Sequence, residues 1–453
     1  MRKIVIGAGQ GFYGDNPYPA YEMALKEELD YLCFDALAEL TLAILAKDRQ
    51  ASAAAGYTKD LKAYMQLLLP VLARKHFKII TNAGGLNPRQ AAQDIENAAR
   101  ELGLTGLKIA VVEGDDFLHR LGTLNSERIL KSMSGEPAQI TELEQIYFAN
   151  AYLGAKPIVE ALKTGADIIL TGRVTDSSLF LAPLIYEFGW GFEDYNRLSQ
   201  GIMLGHLMEC SGQATGGNFS GAWEELQLEN IGYPMAEAWE DGTFILTKPE
   251  GSGGRVSRET VSEQLLYEIQ NPYAYVTPEV LVDLSSVVLT DLGEDRVRVE
   301  GAKGNKPGPD YKLITGQPDG YLAQITFGYC WPKAYPKAER AVEILQRQME
   351  KAKLSCEELR VDYLGRNSLH LSLSGPKTED PAEVILRLAL KAKSRDHAQR
   401  FLRLIPPLAL NGPPGIGGFS GIPSPRELVK IQAYLLPKAY VDQRTSITVR
   451  EVG

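Results

Sequence analysis

The chain has 453 residues, 44% of them hydrophobic and 23% charged, with a formal net charge of −9. That length exceeds one ordinary hydrophobic core, so two domains, or one large domain with a substantial appendage, are expected. The acidic balance argues against a nucleic-acid footprint, which needs clustered Lys and Arg, and no apolar run reaches the roughly 20 residues of a bilayer span.

Cys33, Cys210, Cys330 and Cys356 are scattered without a C-x-x-C pair, which indicates neither a disulfide framework nor a zinc ribbon and fits a reducing cytoplasm. The first residues run straight into Ile4-Val5-Ile6 and a glycine loop, leaving no room for a secretory h-region.

Over the first 190 residues, short β-branched runs alternate with helical patterns, the rhythm of βαβ units around a mostly parallel, Rossmann-like sheet. Strands are predicted at 3–6, 31–34, 78–81, 108–112 and 167–171, and helices at 36–46, 59–75, 88–102 and 155–164. Every strand ends in polar or glycine-rich sequence, and in an open parallel sheet ligands bind outside those carboxyl ends. A (β/α)8 barrel, ranked second, would use the same edge. Beyond about residue 200 the texture becomes α+β, with strands at 243–247, 285–290 and 321–329, helices at 333–351 and 381–391, and an exposed loop over 301–319. The expected division is an α/β domain over 1–200 that carries the ligand-binding strand ends, and an α+β lobe over 201–453 that contributes to the same cleft.

Several segments could carry chemistry. In the loop Gly7-Ala8-Gly9-Gln10-Gly11-Phe12-Tyr13-Gly14-Asp15, bare backbone at Gly9 and Gly11 could approach a phosphate. A G-x-G-x-x-G frame exists at Gly9, Gly11 and Gly14, but the sequence after it reads as a turn, so a ligand-facing turn is preferred to nicotinamide binding. Asn82, Gly84, Gly85 and Asn87 offer amides and bare backbone for a substrate carbonyl or carboxylate, or simply a loop-to-helix cap. After the strand at 167–171, Arg173 suits a bidentate grip on an anion, Ser177 and Ser178 supply hydroxyls, and Asp176 supplies an acid. The alternative is a structural Arg173–Asp176 pair with capping serines.

His206 and Glu209 stand three apart on one helical face, the arrangement of a carboxylate-oriented imidazole base or of a structural histidine. Cys210 is the weaker nucleophile option. Gln213 and Thr215 follow in the same segment as substrate contacts. Lys248 and Gly253 could hold a phosphoryl group of CoA, or form an exposed turn. The acids Glu113, Asp115 and Asp116, with His119, could take a divalent cation, but this reading is not favoured and no metal is assigned.

Taken together, GAGQGFYGD, DYLCFDALAELT, TNAGGLNP, ANAYLGAKPIVEALKTGADIILTGRVTDSS, GHLMECSGQATGGNF, TKPEGSGG and NGPPGIGG resemble, in order and over nearly the whole chain, the acyclic terpene utilisation (AtuA-like) family. The resemblance implies a cytoplasmic catabolic protein acting on CoA thioesters of acyclic terpenes, with Asp35 where the family pattern carries glutamate. It also implies a small ferredoxin-like element, expected here as a separate partner chain because the sequence after Gly412 is too short for one. The expected activity is a lyase or hydratase acting on a small anionic or CoA-linked metabolite, in a homo-oligomer. The alternatives are a non-catalytic subunit of a CoA carboxylase-type complex and a metal-dependent hydrolase.

Overall fold

Continuous apolar runs such as Tyr31–Phe34 and Ile168–Thr171 are buried on both faces, the mark of strands covered by helices on either side. The computed structural model describes residues 2–375, 380–419 and 421–453. Its first 250 residues form strands β1 (Lys3–Gln10), β2 (Tyr31–Phe34), β3 (Lys78–Thr81), β4 (Lys108–Glu113), β5 (Phe148–Ala151), β6 (Ile168–Thr171), β7 (Met235–Trp239) and β8 (Phe244–Thr247). Between them lie helices α1 (Pro17–Lys26), α2 (Glu39–Ala51), α3 (Leu61–Lys75), α4 (Pro88–Glu101), α5 (Leu121–Ser126), α6 (Lys156–Lys163), α7 (Ser178–Phe188) and α8 (Tyr195–Met208).

The five strands read from the sequence stand side by side in the order β1-β2-β3-β6-β4, every neighbouring pair parallel. The complete sheet is mixed, which corrects the mostly parallel Rossmann-like expectation. It has ten strands among the described residues, because β7, β8, Val297–Glu300 and Val288–Asp291 extend it antiparallel beyond β1, and Ser446–Glu451 pairs antiparallel with β4. Alternate side chains serve opposite layers. Tyr31 and Cys33 pack with α6, α7 and α8, whereas Leu32 and Phe34 pack with α1, α3 and α4.

The chain divides into two units, Met1–Gly316 with Ile431–Gly453, and Gln317–Lys430, rather than near residue 200. Residues 201–316 and 431–453 belong to the first unit, to whose sheet they add five strands. Two further expectations are corrected. The segment 301–319 is no exposed loop: Lys303–Asn305 pairs with Leu281–Asp283, and a strand beginning at Asp310 pairs with β5 and buries Leu313, Ile314 and Thr315. The segment 381–391 is no helix but part of the strand Glu383–Ala392, whose side chains alternate between buried and part-exposed.

The second unit has its own core, centred on Phe327, Leu386, Leu388 and Phe401. Its elements run strand, helix Ala334–Lys351, strand Glu358–Tyr363, strand Glu383–Ala392, helix Arg395–Leu402 and the short strand Ile416–Gly417. The first strand lies between the third and fourth, and the third lies against the second. This is the split βαβ arrangement of ferredoxin-like units. The expectation placed such an element on a separate chain, whereas this chain carries the topology itself.

Candidate active site

Because β2, β3, β4 and β6 are parallel neighbours, the residues that follow them are brought to one edge. Asp35 follows β2, Asn82 follows β3, Asp115 follows β4, and Arg173 and Asp176 follow β6. Arg173 is only 2% exposed. Its guanidinium donates to Asp176 and to the Val174 carbonyl, its Cζ lies 4.0 Å from the centre of the Tyr152 ring, and its Nε has no partner. The Asp115 carboxylate accepts the Arg173 backbone N–H and the Asn150 amide through one oxygen, each at 2.8 Å. It fits there because Gly172 has no side chain: a Cβ would stand 2.6 Å from both oxygens.

Burial outweighs these hydrogen bonds and pushes the Asp115 carboxyl up to about 7. The Asp35 carboxyl rises well above the usual carboxylate range, chiefly through burial and then through the charge of Asp176, against the opposing pull of Arg173. Asn82 donates to Asp35 at 2.6 Å and accepts the Ala36 N–H at 2.7 Å, so both ends of its amide are engaged in holding that turn.

The C-terminal end of α8 brings His206 and Glu209 to the same cluster. His206 Nδ1 lies 3.1 Å from Glu209 Oε1, its Nε2 donates to the Leu265 carbonyl at 3.3 Å, and its ring leans on Tyr275. Both ring nitrogens are therefore occupied. Burial lowers the affinity of His206 for its proton, but the hydrogen bond and charge of Glu209 prevail and raise it. Glu209 is itself pushed up to about 7 by burial, with His206 opposing and Asp176 adding to the rise. Its second oxygen, Oε2, is buried without a partner. Tyr152, Tyr275 and the Glu39–Lys312 pair complete the surroundings. Tyr152 donates to Glu39, Lys312 reaches Glu39 at 2.8 Å, and Glu39 is held down at about 2, the bonds from Lys312 and Tyr152 overcoming burial. No local motif marks these four residues; Glu39 and Tyr152 lie within the family strings, while Tyr275 arrives from the short strand Tyr275–Val276.

The other expected contacts are placed differently. Ser177 caps α7 without a capping hydrogen bond and stands buried beside Tyr275, while Ser178 donates to the buried Glu279 at 2.9 Å. Asn87 caps α4 and donates to the carbonyls of Ala53 and Ala55. Gly84 and Gly85 are packing positions, since a Cβ would meet the Thr171 carbonyl at 2.5 Å or the Leu45 side chain at 2.4 Å. Thr215 is buried against the carbonyls of Gly212 and Gly232, whereas Gln213 lines an open cavity.

The phosphate set is not gathered into one cradle. Gly9 lies under the Phe34 ring, the Gly11 N–H is taken by Asp15, and Lys248 is paired with Asp295 at 2.9 Å and donates to the Ser252 carbonyl. Gly253 packs against the Gln227 carbonyl on the Lys248 side. Nor do Glu113, Asp115 and Asp116 converge. Glu113 is held by Arg89 and Asp116 faces Arg49, and among the described residues no group of three or more His, Cys, Asp or Glu could hold a metal ion. The Cys210 thiol is pushed up by burial and by Glu209, which leaves it a poor nucleophile.

The fold and this edge define a mixed α/β protein whose parallel strand ends surround one guanidinium with buried carboxyl groups. By its match over residues 4–447, the chain belongs to the acyclic terpene utilisation family, AtuA. No curated protein and no solved structure matches it. Among the described residues no helix is long and apolar enough to cross a membrane.

Proposed function

We propose that this chain is a catabolic enzyme of acyclic terpene or branched acyl-CoA breakdown, a lyase or hydratase that moves a proton next to a carbonyl. The observation that carries the reading is Glu209: a buried carboxyl pushed to about 7, hydrogen-bonded to His206 through one oxygen, with the other buried and free of partners. A carboxyl poised near neutrality both accepts and returns a proton efficiently. In this scheme the roles expected from the sequence are exchanged. Glu209 moves the proton and His206, with both nitrogens engaged, positions it and compensates its charge. Asp176, whose side chain is 33% exposed, meets the substrate, and the positive charge of Arg173 stabilises the developing enolate.

The test is Glu209→Gln, assayed against a panel of acyl-CoA thioesters and short carboxylic acids. Turnover should fall at least a hundredfold with the unfolding midpoint nearly unchanged; a variant that retains activity removes the mechanism. A second reading, a non-catalytic subunit of a CoA carboxylase-type complex, draws on the fact that Asn82, Asn87, Thr215 and Lys248 all spend their polar groups internally. It predicts no turnover alone and loss of the complex's activity when this chain is withheld.

A further inference from the structure

We infer that the cavity between the loop after β1 and the turn after α8 receives the uncharged hydrocarbon limb of the substrate, while its carbonyl end lies toward Glu209. The inference rests on the proposed proton transfer at Glu209 and adds where the remainder of the molecule goes. The cavity has a volume of about 440 Å³, within the range small-molecule sites occupy. Phe12, Gln213, Tyr233 and Tyr267 line it. Phe12 is 59% exposed and Tyr267 is 40% exposed, so two aromatic rings stand open at the cavity.

The charge of the lining is decisive. Among the described residues no Lys, Arg or His lines the cavity, and the one carboxylate that does, Asp15, is consumed by the N–H groups of Gly11 and Asn16 and by the Tyr233 hydroxyl at 2.6 Å. A phosphate or carboxylate placed there would lose its hydration and find no counter-charge. A hydrocarbon chain would cover the exposed rings at no such cost. The connection to the acid cluster is direct in the chain: Cys210, on the cavity wall, follows Glu209, and Gly11, on the opposite wall, follows Gln10, whose carbonyl accepts the Asp35 N–H at 3.1 Å. Gly11 keeps the two walls close, since a Cβ there would stand 2.8 Å from the backbone of Cys210 and Ser211.

The probes are straight-chain carboxylic acids from four to ten carbons, with one methyl-branched member, titrated calorimetrically into the full chain. Each added methylene should tighten binding about fourfold until the cavity fills, the factor that about 0.8 kcal/mol per buried methylene converts to. Gln213→Trp, which occupies the cavity, should stop the gain at a shorter chain and leave the four-carbon acid unaffected. Tyr267→Ala, at a half-exposed position, should weaken the longest acids at least fivefold, and stands in if the tryptophan variant does not fold. Absence of binding, affinity independent of chain length, or a series untouched by both substitutions overturns the inference. The Glu209→Gln variant separates the two ideas. A chain-length series preserved in a variant with full turnover would sink the proton-transfer reading alone, and a flat series beside abolished turnover would sink the cavity assignment alone.

Discussion

Replacing Asp115 with asparagine should stabilise the protein, and should do so more at high pH than at low. The side chain is 4% exposed. Both of its hydrogen bonds, from the Arg173 N–H and the Asn150 amide, reach the same oxygen, so an asparagine carbonyl in that place keeps both. What the substitution removes is the ionisation of a buried carboxyl. Native Asp115 is held at about 7, against about 3.9 in an unfolded chain. A carboxyl raised in this way keeps its proton longer in the native state, so between those values the unfolded chain binds fewer protons and stability falls as pH rises. Between pH 5 and pH 8 the loss from this one group is about 2.5 kcal/mol. Other buried groups titrate in the same window, but they are common to parent and variant and cancel in the difference. Urea unfolding at pH 5, 6.5 and 8 reads it directly: the advantage of Asp115→Asn should widen by about 2.5 kcal/mol across the series. Parallel stability curves would refute the claim that this carboxyl is carried protonated in the native fold. Asp115→Ala, which strands two buried donors, should lose about 1–3 kcal/mol for each of them.

Other outcomes follow from the packing. Gly9→Ala sets a Cβ 2.3 Å from the buried Phe34 ring, so it should cost about 1–3 kcal/mol by urea unfolding and leave the affinity for CoA unchanged, whereas a phosphate-binding glycine would weaken it. In the second unit Asp362 is 1% exposed and is gripped by Arg360 and Arg387. Asp362→Ala should therefore cost about 2–3 kcal/mol, read as a lower unfolding midpoint, with turnover at the Glu209 cluster unaltered.

The central strands were legible because strands buried on both faces leave uninterrupted apolar runs, and the five found this way are the parallel ones. Of their antiparallel neighbours, Phe244–Thr247 and Val288–Asp291 answer the strands read at 243–247 and 285–290, whereas the others were not legible. Met235–Trp239 is five residues long with a glutamate at its centre, and the strand that starts at Asp310 contains Gly316, Pro318 and Gly320, residues that normally mark turns. The segment Glu383–Ala392 is rich in Leu, Ala, Arg and Lys, all good helix formers. The burial it achieves as a strand, every second side chain inside, overrides that propensity. Glycine was ambiguous for a related reason: a glycine that admits a ligand and one that admits a neighbouring ring look alike in sequence, and only the position of Phe34 assigns Gly9 to the second kind.

At the site, the charged residues one or two positions past a strand end are buried. Asp35 directly follows β2, Asp115 and Arg173 each come second after β4 and β6, and these three are 7%, 4% and 2% exposed. Asp176, five residues beyond β6, keeps a side chain 33% exposed. A residue just past a buried strand has not yet left the layer of helices that covers the sheet; farther on, exposure follows the local packing, since Ser177 and Ser178, next in the chain after Asp176, are fully buried. The sequence pattern thus carries more than the identity of the edge. It separates a buried reserve of carboxyl groups, held above their ordinary range by burial, from Asp176, whose side chain is open to what arrives from solvent. In the proposed reaction Asp176 is therefore the first contact, and its pairing with Arg173 is the means by which the charge of an incoming substrate is felt at Asp35 and Glu209 behind it.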